Sequence, residues 1–144
     1  MNKGGNGEVL YPYQDRPDFT FEIDLLIEQA DPMLNKLAAF LKNNIDKMFP
    51  EFLNSTWPQF LQILERQLAK NQVYSRKHLV GMTMSLADIV VGSHIMRLVY
   101  NKSNPKCSEL AAVMKLYPLT HVWAQETING TFFGWMQTQV PGPL

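Results

Sequence analysis

At 144 residues the chain has the size of one domain, and 46% hydrophobic against 18% charged residues makes it globular rather than disordered. Its 13 Lys and Arg balance 13 Asp and Glu, so the basic excess of a nucleic-acid binder is missing. One cysteine excludes an intrachain disulfide framework and a Cys-cluster zinc site, and no apolar run reaches the ~18 residues of a membrane span.

Met1 to Tyr13 has neither the apolar core of a secretory signal nor the Arg-rich stretch of a mitochondrial one, which predicts a cytoplasmic protein. Residues 1–18 form a polar arm, with Gly4, Gly5, Gly7, Pro12 and Pro17, expected to lack regular structure. Phe19 to Leu25 alternates apolar and polar residues as a strand does, whereas the continuation through Gln29 has helical spacing. No second strand is in sight to pair with it, so helix is the expected state. Asp31-Pro32 can open a new helix or kink a long one. Leu34, Leu37, Ala38, Leu41, Ile45 and Met48 then recur at helical spacing, with Pro50 as the expected stop. Thr56 and Gln59 have the pattern of a capping box, opening a helix whose apolar stripe is Phe60, Leu61, Leu64 and Leu68.

A loop from Asn71 to Met84 leads to the most informative segment. Ser85-Leu-Ala-Asp88 places a hydroxyl at an N-cap and a carboxylate three residues on, a reciprocal capping box, with Met84 and Ile89 spaced as its hydrophobic staple. Losing either member of such a box costs about 1 kcal/mol. The helix that follows, Ile89 to Tyr100, is apolar on nearly every side and so belongs at the centre of the fold, with Gly92 marking close packing. Two shorter helices begin near Pro105 and Pro118, and Asn129-Gly130 stops the second. The aromatic run Phe132 to Met136 is expected to dock on the bundle. The sum is an all-α fold.

His78, His94 and His121 are too dispersed for a ligand set, and His94 on the apolar helix reads as a satisfied core or interface histidine. Cys107 beside Lys106 has no identifiable partner base, and the capping box accounts for Ser85 and Asp88 without catalysis. Expected, therefore, are no catalytic residue, no cofactor and no metal.

The stretch Leu79-Val-Gly-Met-Thr-Met-Ser-Leu-Ala-Asp-Ile89 resembles the signature of the glutathione-transferase C-terminal domain, where a capped serine and aspartate open the buried central helix. Phe60 to Leu68 resembles the family's preceding helix, Glu22 to Asp31 the start of its first one in sigma-, pi- and alpha-like members, and Tyr117-Pro118 with Trp123 a later region. The resemblance covers residues 19–144 and implies five to six helices around a buried central one. In the family, a thioredoxin-like domain holds glutathione and carries the catalytic Tyr, Ser or Cys. Residues 1–18 have no such pattern, and Tyr11 and Tyr13 do not match a catalytic tyrosine.

Two functions follow from the resemblance. One is a non-catalytic interaction or structural subunit of a larger assembly, cytoplasmic and within a cytoskeletal or other large structure, bound to other protein subunits or a second copy, with no nucleic acid and no membrane. The other is a glutathione transferase, or its detached helical half, contributing the hydrophobic co-substrate site. The family's first and central helices face the thioredoxin-like half, so the expected partner seam comprises Phe21, Leu25, Met33, Leu34, Met84 and Val91.

Overall fold

The first helix, α1, runs unbroken from Pro17 to Lys42. In the computed structural model, the residues described are 16–42, 45–73 and 77–130. Pro17 suits a first helical position, where its missing N–H is no loss, and Asp18 places a negative charge in the first turn. The helix thus starts two residues inside the expected arm; the rest of that arm, residues 1–15, lies outside the described residues. Phe19, Ile23, Leu26, Ala30 and Met33 are buried at spacings of three and four, which settles the strand-or-helix ambiguity. Pro32 sits inside α1, so Asp31-Pro32 opens no new helix.

Helix α2 covers Ile45–Glu51 with Pro50 inside it, and a single π-helical turn, Phe52–Thr56, carries the chain directly into α3, Trp57–Lys70. Two expectations fail here. Pro50 is not a stop, and Thr56 is not an N-cap: its backbone is helical (φ −64°, ψ −47°) and its side chain makes no capping bond. The physical reason is continuity, because a segment entered from a preceding turn of helix has no orphan N–H groups to cap. Gln59 bonds instead to the Ser55 hydroxyl at 3.4 Å. The π turn also explains the aromatic packing. Phe52 and Trp57, five residues apart, stack with centroids at 6.5 Å, in line with Phe49 before them and Phe60 after. Five residues overshoot an α-helical turn, whereas the wider π turn brings them to one face. It thereby delivers Trp57 into the core, where its indole N–H donates to the Leu110 carbonyl at 3.0 Å.

After a 3₁₀ turn at Asn71–Val73 and an irregular stretch, α4 (Leu86–Val99) forms the centre of the bundle, packing on α1 above all and on the two later helices, α5 (Cys107–Met114) and α6 (Pro118–Ile128). Ala87, Val91, Gly92, Ile95, Leu98 and Val99 are buried along it. Asn129 follows α6 as its C-cap, at the expected stop. The fold is an all-α bundle around a central helix. The aromatic run after Gly130 lies outside the described residues.

Candidate functional site

The capped start of α4 is a junction of three segments, and Asp88 is its hub. The carboxylate is fully buried. Its Oδ2 accepts from the Ser85 N–H at 3.0 Å, while Oδ1 accepts from the Leu79 N–H and from the Trp123 indole N–H, each at 3.0 Å. One side chain therefore ties the helix start to the preceding loop and to α6. The Ser85 hydroxyl completes the box over the Asp88 N–H, but it stays outside strict hydrogen-bond geometry and has no other partner. The carboxylate half is the firmer one. Met84 and Ile89, the expected staple, are both half-buried.

The loop is fixed from its other side by Asn71, the C-cap of α3. Its amide nitrogen donates to the carbonyls of His78 (2.9 Å) and Gly81 (2.8 Å), and its oxygen accepts from the Gly81 N–H at 3.2 Å. Gly81 has φ 69°, a left-handed conformation that glycine adopts without steric penalty. The Leu79-Val80-Gly81 signature is thus structural throughout, with two side chains buried in the core and a glycine that makes the turn.

Glu65 does for α6 what Asp88 does for α4. Its carboxylate accepts from the Leu119 and Thr120 N–H groups at 3.1 and 2.9 Å and from the Thr120 hydroxyl at 2.9 Å. Pro118 has no N–H to offer, so a glutamate one helix away supplies the missing N-cap. Farther along α3, Gln67 and Lys70 hold Glu22 of α1 at 2.7 and 3.2 Å. His94 binds Asp31 at 2.7 Å, joining α4 to the middle of α1 just before Pro32.

Burial pushes the Asp88 carboxyl above its ordinary 3.8; the N–H groups of Ser85, Leu79 and Trp123, and nearby His78, pull it back only in part. The folded chain then holds this proton to higher pH than the unfolded chain does. Stability contributed at this site is accordingly greatest below the ordinary value and falls as pH rises through the folded one. Raising the pH from about 4 to about 7 should therefore shift the difference in thermal midpoint in favour of an Asp88→Asn variant. A wild type that gains on the variant over that interval would show the opposite sign.

The expected seam residues do not stay together. Phe21 and Leu25 are exposed on α1 (64% and 39%), whereas Met33 and Val91 are buried in the core and leave the seam for a physical reason: each faces inward on its own helix. Met84 is half-buried, and the Leu34 side chain lies outside the described residues. His78, with its Nδ1 3.8 Å from Asp88, does not meet His94 or His121 in a cluster, and no group of three or more potential metal ligands occurs among the described residues. Cys107 is half-buried at the start of α5. Among the described residues, no helix is long and apolar enough to cross a membrane.

The motif that opens α4, the loop turned by Gly81 and the central position of α4 agree with a sequence match over residues 30–129 to the glutathione S-transferase C-terminal domain. The chain belongs to that family. No characterised protein and no solved structure matches it. The matched residues, 30–129, span α1 from its middle through α6, the helical domain of the family. The Asp88 carboxylate of the signature and the Asn71 amide before it are committed to architecture: the first accepts from backbone and indole N–H groups, and the second bonds the backbone of the loop.

Proposed function

We propose that this glutathione S-transferase C-terminal domain is a non-catalytic interaction subunit of a larger assembly, docking through the outer face of α1. The carrying observation is a pair of large apolar side chains, Phe21 and Leu25, exposed one helical turn apart. Single exposed apolar residues are ordinary; two stacked on one helix face make a contact point. Their setting selects the partner. Every charged side chain between Pro17 and Pro32 is acidic. Of these, Asp24 and Glu28 stand exposed on the face of Phe21 and Leu25, whereas Asp18, Glu22 and Asp31 already bond Arg16, Lys70 and His94. The zero net charge of the whole chain hides this segregation. An acidic, apolar helix face complements a basic amphipathic segment of another protein. A second copy is the poorer occupant, because acidic α1 against a basic surface elsewhere on the same chain is a heterologous contact that rings or polymerises. The single unpaired cysteine suits a reducing cytoplasm.

The test uses the tagged chain expressed in its source cells. The wild type should elute in an assembly larger than itself, and a Phe21→Asp/Leu25→Asp variant should elute alone with an unchanged thermal midpoint. A wild type that elutes as a lone monomer from native extract contradicts the proposal. So does conjugation of glutathione to an electrophile by the purified chain, above background and abolished by a point change in it.

A further inference from the structure

We infer that Met84 is a reversible oxidation site, at which a peroxide converts the thioether to a sulfoxide and unlatches the start of the central helix. Met84 immediately precedes the Ser85 N-cap, the position from which a hydrophobic staple closes on Ile89. It also forms one wall of a groove between the 77–84 loop and the end of α6, which Lys77, His78, Glu126, Thr127 and Gly130 complete. The groove has a volume of about 260 Å³, small for a drug-sized ligand and ample for a peroxide. The half-buried Met84 side chain is reached from this groove, whereas Met33 and Met114 are buried in the core.

The step itself needs only hydrogen peroxide. A sulfur lone pair attacks one peroxide oxygen, and an S–O bond forms as the O–O bond breaks. The leaving hydroxide takes the proton of the transferred oxygen and departs as water, so the sulfur loses the electron pair that the peroxide gains. Methionine sulfoxide reductases reverse the change. Position decides the consequence. A thioether suits the apolar contact of a staple, whereas a sulfoxide is polar and its oxygen accepts hydrogen bonds. The donors are on the groove: the Lys77 ammonium and the His78 imidazole, whose Nδ1 is buried without a hydrogen-bond partner. Oxidation therefore draws the side chain away from Ile89 and toward the groove, and the staple opens. Met48 and Met82 are more exposed, but neither occupies a staple position, so their oxidation leaves α4 closed. The device acts at the start of α4 and does not depend on the docking role of Phe21 and Leu25.

Treating the purified chain with hydrogen peroxide, with peptide mass mapping and thermal unfolding as readouts, tests this directly. Met84 should become a sulfoxide in the folded chain while Met33 and Met114 stay reduced. Oxidation should lower the thermal midpoint by about 3–5 °C, and a methionine sulfoxide reductase should restore it. Met84→Leu keeps an apolar side chain of similar volume, so it should fold normally and lose the oxidation-dependent drop; Met82→Leu should retain it. Amide exchange at Leu79 and Ile89 should accelerate in the oxidised wild type, with α3 unchanged. A Met84 that stays reduced while Met48 and Met82 are converted, a midpoint unmoved by its oxidation, or the same drop in Met84→Leu would each overturn the assignment.

Discussion

Replacing Asp88 by alanine should cost about 3–5 kcal/mol of unfolding free energy, several times the cost of Ser85→Ala. The capping box by itself predicts similar losses at the two positions. The structure separates them because the carboxylate serves three donors from three segments, and alanine leaves all three buried and unpaired. Ser85→Ala removes only the looser half of the box, worth about 1 kcal/mol or less. Trp123→Phe isolates the long-range part, since it deletes the indole donor while keeping an aromatic ring. Its effect and that of Asp88→Ala should be less than additive, because both remove the same hydrogen bond. Urea denaturation of the single variants and the double variant measures this; equal costs for Asp88→Ala and Ser85→Ala would reduce the aspartate to an ordinary cap residue.

Glu65→Ala should cost about 2–3 kcal/mol, an unusually large loss for a charged residue on a helix. It strips the first turn of α6 of the acceptor for two backbone N–H groups and one hydroxyl. The site is only part-buried, so water recovers some of the loss, which is why the figure is below that for Asp88. Glu65→Gln retains one acceptor oxygen and should fall between alanine and wild type. The damage should be local first: amide exchange at Leu119 and Thr120 should accelerate in Glu65→Ala more than exchange in α4. Denaturant unfolding together with hydrogen exchange checks both statements, and a loss below about 0.5 kcal/mol would mean that α6 needs no external cap.

The legibility of the chain follows the range of each interaction. The Ser85 and Asp88 spacing is a local signal, and it locates the start of the central helix to the residue. The apolar period of α3 and the all-round apolarity of α4 likewise point to elements that exist. Local signals mislead where context overrides them. Thr56 and Gln59 carry a capping pattern, yet the chain reaches them already helical through a π turn, which has no sequence signature of its own. Pro50 reads as a stop and Asp31-Pro32 as either a new start or a kink in a long helix, and both prolines sit inside helices. Asn71 and Glu65 escape notice as organising residues because their partners lie in other segments, ten and more than fifty residues away. Only Pro118, which leaves α6 without a side-chain cap of its own, hints that an acceptor has to come from elsewhere. Analogy of helix puts Met33 and Val91 on a seam, but the facing of a residue is set by its phase within the helix, and theirs is inward.

The central claim is that α1 is a docking face, and amide hydrogen exchange of the native assembly against the purified chain tests it most directly. The account predicts that amides from Pro17 to Pro32 exchange at least about tenfold more slowly in the assembly, while α6, capped within the domain, is unchanged. Equal exchange of α1 in the two states would contradict it.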